Sequence, residues 1–364
     1  MQGKSHRRDV LFVPDWTLYN AYQNLLAESL ISAGNDVRFG AFARRWSVLR
    51  EVRATRLPDV LHVHWPDPYI FGQEVLSGRK ELIMNGISFL IEILWLKMRG
   101  VKVVWTVHDL CSHDSRYCDY ERFFLKLLVR VSDRIVVHSN HAKKLVTERY
   151  SISSSQAKKM HVIPLGHYMH RYKNTVSREQ ARARLDIPPD ETVFLYFGLV
   201  RCYKGVEDLL DAFQELNPAK SILLIVGLAL EESYRDFLKQ KYGADSRIRF
   251  VLEFVPDDDI QLYFNASDCV VLPYRRILTS STLMLVLSFA RPVVVPAFEC
   301  IAEVLNGEGN IMYNPDSPNA LRTALREALK MDYKEVGNMN LALAQSEPYQ
   351  WSTIADQYTS VYRT

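Results

Sequence analysis

The chain has 364 residues, of which 48% are apolar and 24% are charged. These fractions are ordinary for a globular protein, the length suggests two domains, and the sequence shows no short-period repeat and no low-complexity tract. The charge is uneven, because residues 1–170 carry 24 Lys and Arg against 16 Asp and Glu, whereas the other residues carry 21 against 26. A basic first half indicates that this half faces an anionic surface, and we expect no nucleic-acid partner.

The cysteines and the start of the chain bear on its location. Five cysteines have no regular spacing, and residues 1–8 are polar and basic. Both features predict a cytosolic protein with free thiols, and the proximity of Cys111 to Cys118 is more typical of chance than of a redox couple. No apolar run reaches the ~20 residues of a spanning helix. The run at 87–96 comes nearest, is broken by Glu92, and is predicted to be a buried core helix.

The first half alternates predicted strands with predicted helices. The strands are expected at 9–14, 37–39, 60–64, 101–107, 134–138 and 161–164. The helices between them are expected at 21–33, 84–98, 120–131 and 140–150. Such alternation predicts a parallel sheet with helices on both faces.

An arginine-rich segment at 43–53 stands out in this half. Its arginines alternate with Trp46, Val48, Leu49 and Val52. Two interpretations stay open: a helix that lies on acidic lipid headgroups, or an ordinary solvated helix face.

The second half repeats the pattern after a polar connection at 166–190. Its strands are expected at 193–197, 221–226, 248–251, 269–272 and 292–295, and a terminal helix at 351–362. The predicted fold class is therefore α/β, with two doubly wound Rossmann-like domains at 1–170 and 171–348. Ligands of such sheets bind beyond the carboxyl ends of the strands, so we expect a cleft between the domains to hold the site.

Histidines stand at the carboxyl ends of two predicted strands. His62 and His64 share one face of a strand because side chains alternate, and His108 ends the next strand. A metal pair would lack a third ligand nearby in sequence, so hydrogen-bonded structural roles are favoured and no metal is expected. His108 either faces the cleft or is a buried structural residue, and Asp109 could orient it or act as a base.

Residues 192–210 contain the first predicted phosphate site. A strand ends at Gly198, and Lys204 and Gly205 lead into a helix, so that unpaired backbone N–H groups lie near basic side chains. Arg201 and Lys204 could both reach a diphosphate. The alternative is an ordinary loop with surface cations.

A second phosphate site is predicted after another strand. Ser280, Ser281 and Thr282 precede a helix and could cradle a phosphate, although a plain helix cap is the alternative. Two such sites at strand ends favour a diphosphate. Glu303 follows the next strand and could accept hydrogen bonds from a ribose.

Together these residues resemble the GT-B nucleotide-sugar glycosyltransferases, specifically family four and its relatives. The resemblance is carried by residues 197–205, 266–274, 290–294 and Glu303. Residues 59–66 and 105–110 resemble motifs of a bacterial subgroup that makes surface polysaccharides.

The resemblance implies a hexosyltransferase that needs no cofactor and no metal. Its first domain would bind a lipid-linked or oligosaccharide acceptor, its second a UDP- or GDP-sugar, and residues 349–364 would form a helix that returns to the first domain. A cytoplasmic protein, peripheral on the inner face of the cell membrane, is the matching location.

The resemblance also assigns roles by position. Lys204 and Arg201 would neutralise the donor diphosphate, with backbone N–H groups near Ser281 and Thr282. His108 would lie near the transferred sugar. Four further residues of the first half are candidates for donor or acceptor contact: Asp15, Asn20, Tyr22 and His64.

One departure from the family pattern concerns the donor sugar. Family four has two glutamates eight residues apart, and their positions here hold Ile277 and Leu285. The resemblance therefore does not define sugar recognition, and a retaining or an inverting outcome stays open. An inverting reaction would need a carboxylate base, for which Asp109, Asp15 and Asp67 are candidates.

Two other functions fit the same fold. A sugar-nucleotide epimerase would release a nucleotide or an epimer without an acceptor. A non-catalytic subunit would bind nucleotide sugars without turnover, and the missing glutamates favour this alternative over the epimerase.

Overall fold

The structure is a computed structural model that describes residues 7–18, 20–40, 45–71, 79–110, 118–305 and 309–364. The chain forms two compact units. Unit 1 comprises Met1–Leu165 and Gln350–Thr364, and unit 2 comprises Gly166–Tyr349. Each contains one six-stranded parallel sheet. The predicted α/β class with two doubly wound sheets is confirmed.

Unit 1 is built on a sheet of short, buried strands. In chain order these are β1 (Asp9–Val13), β2 (Asp36–Phe39), β3 (Val60–Val63), β4 (Lys102–Thr106), β5 (Arg134–Val137) and β6 (Met160–Val162). They are ordered β2-β1-β3-β4-β5-β6 across the sheet. The central strands β1, β3 and β4 are apolar almost throughout because helices cover both faces of a parallel sheet.

Seven helices connect these strands within the described ranges. They are α1 (Ala21–Ser32), α2 (Ser47–Ala54), α3 (Asp67–Phe71), α4 (Arg79–Met98), α5 (Cys118–Val131), α6 (Asn140–Tyr150) and α7 (Ser154–Ala157). Local caps define several starts: the side chain of Asn20 accepts the N–H of Tyr22, and that of Ser139 accepts the N–H of Ala142.

Unit 2 repeats the architecture with longer central strands. Its strands are β7 (Thr192–Phe197), β8 (Ser221–Val226), β9 (Ile248–Val251), β10 (Cys269–Val271), β11 (Val293–Pro296) and β12 (Ile311–Tyr313), in the order β12-β11-β10-β7-β8-β9. The edge strand β12 is absent from the sequence prediction. It has three half-buried residues, which is too few to show a periodicity.

The helices of unit 2 cover both faces of this sheet. They are α8 (Arg178–Arg184), α9 (Val206–Leu216), α10 (Glu232–Tyr242), α11 (Ile260–Ala266), α12 (Ser281–Ser288), α13 (Glu299–Leu305), α14 (Ala320–Ala328) and α15 (Tyr333–Gln345). A 3-10 turn at Cys202–Lys204 precedes α9. The core lies between the sheet and helices such as α9 and α14.

The last helix, α16 (Trp351–Arg363), belongs to unit 1. It packs on α1, where the hydroxyls of Tyr22 and Tyr358 are 3.0 Å apart and Asn35 Nδ2 donates to Thr359 Oγ1 at 2.9 Å. The final segment of the chain is thus anchored to elements some three hundred residues earlier by buried polar contacts.

Helix α4 corrects one expectation. The run at 87–96 is helical, as predicted, but it is not wholly buried, since Ile87, Ile91 and Leu94 are each 47% exposed. In the part of the chain that the structure describes, no helix is both long and apolar enough to cross a bilayer.

Candidate functional site

The loop of unit 2 that the sequence predicts to bind phosphate, residues 198–205, connects β7 to α9, and we call it the phosphate loop. Gly198 has φ +133° and Gly205 has φ +76°, backbone angles that residues with a side chain rarely adopt. A Cβ on Gly205 would lie 2.0 Å from the carbonyl oxygen of Pro273, so the loop passes directly against the segment that follows β10. Only glycine permits this approach.

The predicted residues of the two phosphate sites converge. A Cβ placed on Gly198 would lie 3.6 Å from Thr282 Oγ1, and Lys204 Nζ is 4.9 Å from the centre of the Tyr274 ring. The hydroxyl of Tyr274 is 2.9 Å from Ser280 Oγ. Tyr274, which was not predicted as a site residue, therefore joins the lysine to the start of α12.

Helix α12 presents its N-terminus at this point. Ser280 is its N-cap, with Oγ accepting the N–H of Leu283 at 3.0 Å. The side chain of Ser281 bonds to Tyr168. The first N–H groups of a helix, here including those of Ser281 and Thr282, have no partner within the helix and attract anions. Ser280 thus acts through its cap, while the two following residues offer backbone groups.

A salt bridge braces the phosphate loop. Arg275 binds both carboxylate oxygens of Asp208 at 2.7 Å and donates to the carbonyl of Cys202 at 3.2 Å. Its bond to Asp208 raises the pKa of Arg275. This arginine holds the loop from outside, a role that its position in the sequence does not reveal.

Two predicted residues of unit 2 remain, Arg201 and Glu303. Arg201 is half-buried and directly precedes the 3-10 turn. Glu303 is exposed on α13, three residues after buried Cys300.

Unit 1 carries a cluster of buried histidines at the carboxyl ends of β3, β4 and β5. His64 Nδ1 is 3.3 Å from His108 Nε2, and His108 Nδ1 is 3.4 Å from His138 Nε2. His138 Nδ1 bonds to the carbonyl of Ile163 at 2.9 Å. We call His64, His108 and His138 the histidine chain.

The hydrogen bonds of the histidine chain have one direction. A carbonyl only accepts, so His138 Nδ1 carries the proton and its neutral ring accepts at Nε2. His108 then donates from Nδ1 and accepts at Nε2, and His64 donates from Nδ1. His64 Nε2 is left as a lone pair, and it has no hydrogen-bond partner among the described residues.

The neutral state of these rings follows from their burial. Burial lowers the pKa of His138 to about 4, and burial together with the neighbouring histidines places the pKa values of His64 and His108 well below the usual range. Trp65 stacks on His108 with ring centres 4.1 Å apart. His108 is thus oriented by His64, His138 and Trp65.

A second polar network lies beside the histidine chain. His62 bonds to the hydroxyl of Tyr362 at 2.7 Å and to Thr106 Oγ1 at 2.8 Å, and Thr106 Oγ1 is 3.3 Å from the hydroxyl of Tyr358. Tyr358 continues it to Tyr22. The predicted structural role of His62 is borne out by these contacts, which join β3 to α16.

Tyr22 and Asn20 have different surroundings. The ring of buried Tyr22 lies 5.2 Å from that of His108 and 5.7 Å from that of His138. Asn20 instead caps α1 with its side chain. Of these two residues, Tyr22 is the one whose ring packs against the histidine chain.

The acidic candidates of unit 1 are separated by their environments. Asp15 is exposed and its carboxylate closes a turn by accepting from the N–H and hydroxyl of Thr17. Burial and the carboxylates of Glu121 and Asp109 raise the pKa of Asp67 to about 8. Asp67 therefore holds a proton at neutral pH, whereas half-buried Asp109 directly follows His108 beyond the end of β4.

Neither unit groups enough potential ligands for a metal ion among its described residues. Within the described residues, no group of three or more histidine, cysteine, aspartate or glutamate side chains could hold a metal ion. The predicted Cys111 and part of the segment 43–53 lie outside the described residues.

Comparison with known proteins assigns the chain to a family. The family description "Glycosyltransferase Family 4" matches residues 11–168, and "Glycosyl transferases group 1" matches residues 191–331. A GDP-mannose:glycolipid 4-beta-D-mannosyltransferase of Xanthomonas campestris pv. campestris is 30% identical over 265 residues, 73% of this chain and 68% of the relative. The chain is a family-four-like GT-B glycosyltransferase. A second sequence with this name from the same organism is 29% identical over 289 residues, which are 79% of this chain and 75% of the relative.

Solved structures share the fold of this glycosyltransferase. Sucrose-phosphate synthase from Thermosynechococcus elongatus has a TM-score of 0.74 at 18% identity, covering 97% of this chain and 98% of that one. Anabaena Alr3699/HepE in complex with UDP and glucose has a TM-score of 0.71 at 16% identity, covering 97% and 99%. The recognised family and the prediction of a hexosyltransferase enzyme are confirmed.

The departure from the family pattern has a structural counterpart. Leu285 is 7% exposed within α12, and Ile277 is half-buried in the preceding loop. Aliphatic packing therefore replaces both family glutamates, and neither position supplies a carboxylate to a donor sugar.

Proposed function

We propose that this glycosyltransferase moves a hexose from a UDP- or GDP-sugar to a lipid-linked acceptor without a metal ion. Unit 2 would bind the donor and unit 1 the acceptor. The observation that supports this most directly is the convergence of Gly198, Lys204, Tyr274 and the N-terminus of α12 at the carboxyl edge of one sheet. An oligosaccharide acceptor is the alternative, and both belong to surface polysaccharide or glycolipid synthesis.

The departing nucleoside diphosphate needs compensation for its developing negative charge. Lys204 and Arg201 supply positive charge, and the N-terminus of α12 supplies oriented N–H groups, all fixed before the reaction. Glu303 would accept hydrogen bonds from the ribose. Because these groups can stabilise the leaving diphosphate themselves, the proposal requires no metal.

The relatives suggest which donor and acceptor to test first. Two of them are named for transfer from GDP-mannose to a glycolipid. We therefore place GDP-mannose first among the donors and a lipid-linked glycan first among the acceptors. The basic first half of the chain agrees with an acceptor held at an anionic membrane surface on the cytoplasmic side.

In unit 1, His108 would contact the transferred sugar or the acceptor hydroxyl. Its Nε2 is a neutral acceptor in the histidine chain, and the 3.3 Å bond from His64 is long enough for a hydroxyl to compete with it. Asp109 follows it in sequence and is the carboxylate we propose as base if the reaction inverts.

A donor screen tests the proposed reaction. Radiolabelled GDP-mannose and UDP-sugars are incubated with the protein, bacterial membrane lipids and EDTA, and lipid-extractable label is measured. We expect transfer from at least one donor despite the chelator. Absence of transfer and of donor hydrolysis for every nucleotide sugar contradicts the proposal, and an epimer formed without acceptor identifies an epimerase instead.

The phosphate loop makes a sharper prediction. Lys204→Met is expected to lower kcat/KM for the donor roughly tenfold to a hundredfold, because a charge-assisted contact of about 1.5–3 kcal/mol is removed. The matched control is Lys239→Met, which replaces an exposed lysine on α10. Equal rates for the two variants would remove Lys204 from the donor site.

A further inference from the structure

Helix α4 exposes a continuous apolar stripe. The stripe consists of residues spaced three and four apart, which lie on one face of a helix: Met84, Ile87, Ile91, Leu94 and Met98. All are between 47% and 78% exposed. The opposite face is buried against the core by residues such as Phe89, Ile93 and Leu96. The helix is thus apolar on both sides, which is unusual for a surface helix.

The stripe borders a groove between α4 and α5. The groove has a volume of about 610 Å³, within the roughly 300–1,000 Å³ of ligand pockets. Its walls are almost entirely apolar, with Asp119 at one side. The main lining residues are Ile83, Ile87, Leu90, Tyr120, Phe123 and Leu127. Phe123 is 58% exposed. Such a groove matches a hydrocarbon chain rather than a sugar or nucleotide.

Positive charge flanks the stripe. Arg45 contacts its first residue, with Nη1 3.8 Å from the sulfur of Met84. Helix α2, with exposed Arg50 and Arg53, is tied to α4 because the N–H of Leu49 donates to Glu92 Oε1 at 2.9 Å. An apolar surface beside arginines is complementary to an anionic lipid, whose chains are apolar and whose headgroup is negative.

The topology places the groove toward the same edge of the sheet as the histidine chain. Helices α4 and α5 each precede a parallel strand and follow the carboxyl end of another, so both begin at the carboxyl edge of the sheet. The groove is lined mainly by their first halves. In agreement, Glu121 in the first turn of α5 acts electrostatically on Asp67, just beyond β3. A chain in the groove would therefore leave its polar end near His64 and His108.

We propose that the groove between α4 and α5 binds the hydrocarbon chain of the lipid-linked acceptor, with the apolar stripe resting on the anionic membrane that holds it. This inference rests on the proposed function, because it identifies the part of the acceptor that unit 1 recognises. In this proposal the membrane contact comprises the surfaces of α2, α4 and α5, and not the arginine-rich segment of α2 by itself.

Farnesyl phosphate is a soluble probe that combines a hydrocarbon chain with an anionic head. Calorimetry measures its binding to the full chain, with inorganic phosphate as the chain-free comparison. Ile87→Ser and Phe123→Ser are expected to weaken farnesyl phosphate binding roughly fivefold to tenfold, because each removes apolar contact with the chain. Phosphate binding should not change.

The matched control is Ile31→Ser. Ile31 is 44% exposed on α1 of the same unit, against 47% for Ile87 on α4, and isoleucine and serine have similar helix propensities. The control should bind farnesyl phosphate like the native chain. Unchanged thermal unfolding of all three variants shows that they are folded.

Three outcomes overturn the inference. They are no binding of farnesyl phosphate to the native chain, equal weakening by Ile31→Ser and Ile87→Ser, and a stripe that binds a second copy, seen as a dimer that Ile87→Ser dissociates. The donor screen is independent of these results. If the native chain turns over a donor but Ile87→Ser and Phe123→Ser bind farnesyl phosphate normally, only the groove proposal is refuted. If the two variants lose affinity but the native chain turns over no donor, only the proposed reaction is refuted.

Discussion

At the scale of single residues, the two units obtain their polar sites in different ways. Unit 2 uses backbone conformation, since Gly198 brings a loop near Thr282 on α12 and Gly205 brings it against Pro273. Unit 1 uses side chains, since histidines at the ends of three adjacent strands bond to one another. The first kind of site would attract an anion through its backbone N–H groups, whereas the second fixes the proton positions of its rings.

The histidine chain predicts a role for His138 as a positioning residue. His138→Phe removes the acceptor for His108 Nδ1 and frees the tautomer of His108, so we expect transfer kcat to fall roughly tenfold or more with little change in donor KM. His138→Gln keeps an acceptor oxygen at a similar reach and should restore part of the rate.

A purely structural role for His138 makes a different prediction. If the role were structural, His138→Phe and His138→Gln would lower the folded fraction equally, and the pH dependence of kcat would not change. The comparison residue is His161, which lies in β6 outside the histidine chain. His161→Phe is expected to leave kcat unchanged, and a loss equal to that of His138→Phe would contradict the assignment.

Sequence reasoning found some of these residues and missed others for identifiable reasons. His64 and His108 were predictable because each ends a strand, and His138 gave the same signal but carries no neighbouring motif. Tyr274 and Arg275 were not predictable as partners of the phosphate loop, because their roles depend on how close the segment after β10 comes to Gly205. Such distances are set by packing rather than by local sequence.

At the scale of elements, strand and helix patterns were largely sufficient to predict both sheets. Helix α4 was predicted with the wrong exposure, since apolar residues on all sides are usual for a buried helix. A helix that packs on the core on one side and exposes apolar residues on the other has the same composition. Sequence periodicity cannot separate these two environments, but the exposure of Ile91 and Leu94 does.

The β7–α9 element depends on one glycine. Gly205→Ala would force a side chain into the left-handed region and against the carbonyl of Pro273, so we expect a loss of roughly 2–4 kcal/mol in the free energy of unfolding. Gly34→Ala is the control, with φ +89° and no atom within 4 Å of the added carbon. It should cost about 1 kcal/mol.

Urea unfolding followed by circular dichroism measures both variants. The glycine substitution at position 205 should also abolish donor binding, because the loop that carries Lys204 would move. Similar losses for the two variants would show that backbone conformation alone, and not the approach to Pro273, requires glycine at 205.

At the scale of the molecule, the buried histidines and carboxyls with shifted pKa values lie in unit 1 among the described residues. The pKa values of His62, His64, His108 and His138 are all lowered, with burial as the first cause. In the same unit, burial raises the pKa of Asp67 to about 8 and that of Glu92 to about 7. The two sets affect stability in opposite directions.

The histidines determine the acid side of the pH dependence. Unfolded histidines take up protons near pH 6.5, whereas the folded rings stay neutral until about pH 4 in the case of His138. The unfolded state therefore binds more protons in this window, and stability falls as the pH falls. The carboxyls act oppositely: folded Asp67 and Glu92 are protonated below about pH 7 to 8, so their contribution is lost as the pH rises through those values.

Unit 1 should therefore be most stable between about pH 6 and 7. Below this range the unfolded state binds about four more protons at the histidines, and the folded state binds about two more at the carboxyls. The net difference of about two protons changes the free energy of unfolding by at most about 3 kcal/mol per pH unit. All six tryptophans lie in unit 1, at positions 16, 46, 65, 95, 105 and 351, so tryptophan fluorescence during urea unfolding reports on this unit alone. His138→Phe should flatten the acid side of the curve and Glu92→Gln the alkaline side, whereas a stability that rises or falls steadily from pH 5 to 9 would contradict the assignment of these groups.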